Sequence, residues 1–114
     1  MTPMDKRVYL DDLRRAPHGW IQTQTAEETI ALLKEGDVVE LSLDYNLGPA
    51  TTQTGAAVLE WIDRQIVENP EWQLPTVIHI HSSHHRGRMY MVELLEGIRE
   101  RLKAAGRKAP PAAW

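Results

Sequence analysis

Short β-prone runs that end in acidic or polar residues, with helix-period segments between them, constrain this chain more than any other feature. Val8, Tyr9 and Leu10 lead into Asp11 and Asp12. Val38, Val39, Leu41 and Leu43 lead into Asp44, and Val77, Ile78 and Ile80 lead into His81, Ser82 and Ser83. A weaker run occupies residues 20–23. Strands separated by helices pair in parallel through right-handed crossovers, and such sheets bind ligands beyond the carboxyl ends of their strands. The pattern predicts an α/β fold in which three strands deliver carboxylates and hydroxyls to one edge.

The segments between the runs carry their own signals. Thr25 with Glu28 three residues on is a capping-box pattern. It predicts a helix over 26–35, with Ile30 and Leu33 inward and Gly36 as the stop. Thr54 is expected to cap a second helix over 55–68, where Val58, Trp61, Ile62 and Gln65 or Ile66 recur at helical spacing and Asn69–Pro70 ends it. Met91, Leu94, Leu95, Ile98 and Leu102 form one stripe of a third helix over 88–105. Pro17 and Gly19 make residues 13–19 a loop. Trp20, Trp61 and Trp72 read as packing residues. A chain of 114 residues holds one domain, expected over 1–107, with a Pro/Ala-rich, non-core tail over 108–114.

Charge and composition narrow the function. A net charge of −3 argues against a general nucleic-acid coat, although a few local arginines suffice to bind a phosphate. The absence of cysteine removes disulfides, thiolate metal sites and cysteine nucleophiles together. The apolar runs fall far short of the roughly 20 residues of a membrane helix, and the first residues lack the apolar stretch of a secretion signal. A cytoplasmic protein without membrane contact is the expectation.

Asp11, Asp12 and Asp44 form the strongest constellation. Neighbouring carboxylates repel unless a cation compensates them, and Mg²⁺ takes one or two carboxylates together with waters and phosphate oxygens. The competing reading is that one of them only caps a loop. Ser82 and Ser83 are candidate hydrogen-bond donors to a phosphoryl oxygen, or simple turn residues. Arg88, beside Gly87 at the expected start of the last helix, would add a bidentate clamp to a helix N-terminus that already favours anions. Arg14 is a second candidate clamp or a solvated surface residue, and Arg86 reads as surface. Among the histidines, His79 is expected to be buried and hydrogen-bonded. His81 is placed next to the active edge and suits general acid–base work. The spacing of His79, His81, His84 and His85 matches no zinc signature.

Read together, VYLDDLRRAP with GW, LSLDYNLG with TGAAVLEWI, and HIHSSHHRGRM resemble the cyclic-phosphate processing receiver domain family, a relative of the response-regulator receivers. The resemblance runs from about Val8 to the last helix. It departs from the pattern at Asn46, where an acidic residue is expected, and in the reduction of the first helix to the 13–19 loop. No fifth strand follows the last helix, so Lys108 in the tail stands in poorly for the lysine an ordinary receiver takes from that strand.

The resemblance implies a truncated receiver or flavodoxin-like three-layer sandwich, with about four parallel strands in the order 2-1-3-4. It implies a metal-dependent phosphate-handling enzyme, a cyclic phosphodiesterase or phosphoesterase, acting on cyclic phosphates of nucleotides or RNA ends. Asp11, Asp12 and Asp44 would hold Mg²⁺ or another divalent cation. Arg14, Ser82, Ser83 and Arg88 would bind phosphate, and Asp44, His81 and Ser82 would be catalytic. The alternative is a non-enzymatic switch or anion-binding module with Asp44 as phosphoacceptor. The expected partner is a phosphate-containing small molecule or RNA end. Strand four would stand at a sheet edge, apolar and unguarded, so a homodimer through that edge is expected, with Trp114 as a competing cover.

Overall fold

Alternation along each strand decides which side chains face the core. In the computed structural model, which describes residues 5–49 and 51–112, β1 (Lys6–Leu10), β2 (Ile21–Thr23), β3 (Val38–Leu43) and β4 (Val77–Ile80) form one parallel sheet in the order β2-β1-β3-β4. Register aligns Val8, Leu41 and Ile78 in one row, and Leu10, Leu43 and Ile80 in the next. All six are buried. They form the floor on which α1 (Ala26–Glu35), α2 (Ala56–Glu68) and α3 (His85–Ala104) pack.

The expected strand order and the truncated receiver-like architecture are those observed. Crossovers β2–α1–β3 and β3–α2–β4 run in the same direction across the sheet, so their right-handedness places both helices on one face. There α1 packs against α2 and α2 against α3. Residues 13–19, in place of a helix, leave the opposite face without a layer. Among the described residues the helices therefore pack on one face of the sheet.

The consequence falls on His79. Expected to be buried, it lies on the uncovered face with its side chain 49% exposed, and it is hydrogen-bonded to Glu40 Oε2 at 2.8 Å. Arg7 takes the other oxygen of Glu40 at 2.9 Å. Together His79 first and then Arg7 hold the Glu40 carboxyl below its ordinary range. Tyr9 and Trp20 share this face, Trp20 standing edge-on to Tyr9 at 6.2 Å.

Local signals explain the ends of the elements unevenly. Helix α1 has the predicted bounds because Thr25 Oγ1 accepts from Glu28 N while Glu28 Oε1 accepts from Thr25 N. Thr25→Ala is expected to lower unfolding stability by about 1 kcal/mol in urea melts, the usual contribution of such a cap. Helix α2 starts one residue later than expected, with Gly55 as its N-cap. Thr54 reaches only Ala56 N, at 3.3 Å. Helix α3 starts three residues earlier, capped by His84, whose Nδ1 accepts from Gly87 N at 2.9 Å. Strand β4 spans the apolar run from Val77 to Ile80 and stands at the sheet edge. The tail turns back: Pro110 is buried, its carbonyl accepts from Arg99 Nε at 2.8 Å, and Ala109 packs on the core. Trp114 lies outside the described residues.

Candidate functional site

The carboxyl ends of β1, β3 and β4 open into a cleft of about 550 Å³, lined by Asp11, Asp12, Arg14, Asp44, Ser82 and Ser83 among others. Six of the sequence candidates thus meet in one place, because each lies within four residues of the end of a strand whose side chains are fixed by the core. Asp11 and Asp44 are 1% and 9% exposed.

Asp11 both caps a loop and faces the site. Its Oδ1 accepts from Leu13 N at 2.9 Å and Arg14 N at 2.8 Å, which holds the turn after β1. Its Oδ2 meets His81 Nε2 at 3.0 Å, with Arg14 Nη1 at 3.6 Å. Burial alone would raise the Asp11 carboxyl, but the two backbone donors and His81 outweigh it, so the group lies below its ordinary range and stays ionised. Asp44 is held by one oxygen, which accepts from Tyr45 N at 2.8 Å. Among the described residues no donor reaches its other oxygen.

Two glycines let the acids sit this close to the following loops. A Cβ on Gly55 would lie 1.8 Å from the Asp44 carbonyl oxygen. One on Gly48, whose φ of 86° already favours glycine, would lie 2.6 Å from Asp12 Oδ2. Asp12 lines the cleft, but the ligand atoms that come within 4.8 Å of one another belong to Asp11, Asp44 and His81. Two carboxylates and an imidazole fit a divalent cation by donor type.

His81 sits differently from the expected general acid–base. It continues the outward side of β4, behind the cleft wall, stacked on Tyr9 at 4.3 Å with 3° between the rings. Its Nδ1 lies 2.7 Å from Ser42 Oγ, so both ring nitrogens have partners. Burial pushes its imidazole below the ordinary value against the pull of Asp11, which leaves a neutral ring at neutral pH. A carboxylate only accepts, so Nε2–H donates to Asp11 and Nδ1 accepts from Ser42. The geometry makes His81 an orienter of Asp11.

Arg88 also departs from expectation. Because α3 begins at His85, Arg88 lies inside the first turn and its Nη1 donates to Ile80 O at 2.5 Å. It ties the helix to the end of β4 and does not line the cleft. Arg14 is the arginine at the cleft, its side chain half exposed and, among the described residues, bonded only at Nη1, to His81 O at 3.2 Å. Ser82 Oγ accepts from His84 N at 3.1 Å, which leaves its O–H to donate elsewhere.

Around the cleft stand residues the sequence reading did not assign to it, among them His84 and Leu13 in the lining and Tyr45 against His84. His84 lines the cleft, and with Nδ1 used by the cap its Nε2 has no partner among the described residues. Tyr45 stacks on that ring at 5.0 Å and rests against Gly87, where a Cβ would meet the phenol ring at 2.2 Å. Leu13, 89% exposed, gives the rim an apolar contact. Tyr45 next to Asp44, and the His84–Gly87 spacing, were the available signals.

Among curated proteins no significant match is found. A family model described as the cyclic-phosphate processing receiver domain matches residues 6–97, a span that holds all four strands, the cleft and most of α3. The chain belongs to the cyclic-phosphate processing receiver domain family.

Proposed function

We propose that this receiver-like domain is a metal-dependent phosphoesterase that opens cyclic phosphates on nucleotides or RNA ends. The observation that carries the reading is the convergence of two buried carboxylates, a half-exposed arginine and two serines on one cleft. Carboxylates alone repel a phosphate, so the acids need a cation as intermediary while Arg14 and the hydroxyls meet the phosphate directly.

A divalent cation bound by Asp11 and Asp44 would neutralise phosphate charge and polarise the phosphoryl oxygen. Asp12 adds negative charge at the cleft rim. Arg14 has guanidinium N–H groups to spare and turns them to the non-bridging oxygens. Ser82 donates its free O–H, and Ser83 stands beside it at the mouth of the α3 N-terminus, which favours anions. In ring opening a water oxygen bonds to phosphorus, one ribose oxygen leaves, and a proton ends on that oxygen. His84, which lines the cleft, would supply it and recover one from the water. His81 holds the Asp11 carboxylate in place.

Incubation with 2′,3′-cyclic mononucleotides and a divalent cation, followed by chromatography, tests the reading. Ring-opened monophosphate that disappears on chelation supports it, and unchanged substrate overturns it. The unbonded oxygen of the buried Asp44 favours a second reading, a phosphoacceptor switch. A stable mass increase after acetyl phosphate, without turnover of cyclic nucleotide, would select that one.

Arg14 and Arg88 separate cleanly. Arg14→Ala is expected to weaken binding of a nucleoside monophosphate by roughly 1–3 kcal/mol in calorimetry, the range for charge-assisted hydrogen bonds. Arg88→Ala is expected to leave that affinity alone and lower stability by about 1–2 kcal/mol through its lost bond to Ile80.

A further inference from the structure

We propose that His81 is the third protein ligand of the cation, so that the site selects an octahedral transition cation of the Mn²⁺ or Co²⁺ type over Mg²⁺. The inference rests on the metal-dependent reading above and goes past it by naming the donor set and the class of ion.

Ligand atoms of Asp11, Asp44 and His81 lie within 4.8 Å of one another. Asp44 is nine-tenths buried, lines the cleft, and has one oxygen without a donor among the described residues. A buried anionic oxygen in that position calls for a positive partner. His81 Nε2 and Asp11 Oδ2 stand 3.0 Å apart. That separation suits a hydrogen bond, and it also suits neighbouring ligands of one ion. Ligands about 2.1 Å from an octahedral centre lie about 3.0 Å from one another.

The surroundings of the ring fit the same role. A ligating histidine donates its other N–H to an outer partner, which fixes its orientation. Ser42 Oγ stands 2.7 Å from Nδ1, and the Tyr9 ring stacked 4.3 Å away holds the imidazole plane. Cation binding at Nε2 moves the ring hydrogen from Nε2 to Nδ1, where Ser42 accepts it. The imidazole is neutral before and after, so the shift releases no proton. Arg14, whose Nη1 is 3.6 Å from Asp11 Oδ2, is half exposed and free to turn toward a phosphate. Mg²⁺ takes oxygen ligands and gains little from an imidazole, whereas Mn²⁺ and Co²⁺ accept nitrogen and carboxylate together.

Calorimetric titration of the full chain with MnCl₂ and with MgCl₂ tests this. Mn²⁺ is expected to bind at least about tenfold more tightly than Mg²⁺. His81→Gln is expected to weaken Mn²⁺ by about tenfold or more while moving Mg²⁺ by less than about threefold, so that the preference collapses. Ser42→Ala, which keeps the ligand and removes its outer partner, is expected to weaken Mn²⁺ by about tenfold. A His81→Gln variant with an unchanged Mn²⁺/Mg²⁺ ratio, in a protein where Asp44→Asn loses both ions, overturns the ligand assignment and leaves the metal-dependent reading standing. Wild-type protein that binds neither ion overturns both. Should His81→Gln not fold, the unaltered chain answers: with isotopically enriched cadmium and nitrogen-labelled histidine, a one-bond metal–nitrogen coupling at His81 Nε2 is expected, and its absence with cadmium bound overturns the assignment.

Discussion

Asp44→Asn is expected to weaken divalent-cation binding by an order of magnitude or more, to the point of no detectable heat at millimolar Mg²⁺ or Mn²⁺. The substitution keeps the shape of the side chain and can keep the contact with Tyr45 N, which needs only one acceptor oxygen. What it removes is one of two buried negative charges within reach of the same ion. Hard cations bind through charge-dense oxygens and depend steeply on their number. Stability is expected to hold or rise, because the variant also removes the repulsion between Asp44 and Asp11. That combination of lost binding with retained folding separates a ligand from a structural residue. Unchanged Mg²⁺ and Mn²⁺ affinity in the folded variant would end the metal assignment.

The fold was legible wherever a local rule and the tertiary context agree. Helix α1 has its predicted ends because Thr25, Glu28 and Gly36 act through contacts within a few residues. The observed strand order is the one the receiver resemblance implied, and right-handed crossovers alone would have allowed several orders. The start of α3 was not legible for a chemical reason. Its cap is a histidine nitrogen, outside the usual set of hydroxyl, carboxylate and amide caps. The three-residue error then moved Arg88 from the first residue of the helix to a position inside its first turn, and a phosphate clamp became a tie to Ile80. His79 failed for a different reason. An alternating strand says which side chains share a face, but not whether anything covers that face. The missing helix between β1 and β2 was visible in Pro17 and Gly19, and its effect three strands away was not drawn from it.

The same limit applies to the site. Asp11, Asp12, Asp44, Ser82 and Ser83 could be placed together from strand ends alone, since backbone topology carries them there. The roles of His81 and His84 depend on which ring nitrogens are already engaged, and that is set by Ser42, Asp11 and Gly87, each remote or on another element from at least one of them. Sequence spacing ranked His81 first because it abuts the strand end. Partner atoms change the order: His84 lines the cleft with Nε2 uncommitted among the described residues, and both ring nitrogens of His81 are engaged, one of them by Asp11.

Gly55→Ala is expected to be the most destabilising single-methyl change in the domain, lowering unfolding stability by about 3 kcal/mol or more in urea melts, at the upper end for overpacked sites. The residue has an ordinary helical φ of −60°, so its need for glycine is purely one of space. A Cβ would lie 1.8 Å from the carbonyl oxygen of Asp44 and 2.9 Å from the carbonyl carbon, and backbone cannot swing aside as a side-chain end can. The Met91 methyl, 3.2 Å away, closes the third direction. Relief requires α2 to pull back from the end of β3, which breaks the bond from Gly55 N to Tyr45 O and drags the Asp44 carboxylate with it. Cation affinity is therefore expected to fall along with stability, although Gly55 has no side chain to offer a ligand. Gly97→Ala is the matched control. It sits inside α3 with nothing within 4 Å of its added methyl, and it is expected to gain about 0.5–1 kcal/mol from helix propensity alone, with cation binding untouched. Equal melts for the two alanine variants would show that the close approach of α2 to Asp44 does not hold the site together.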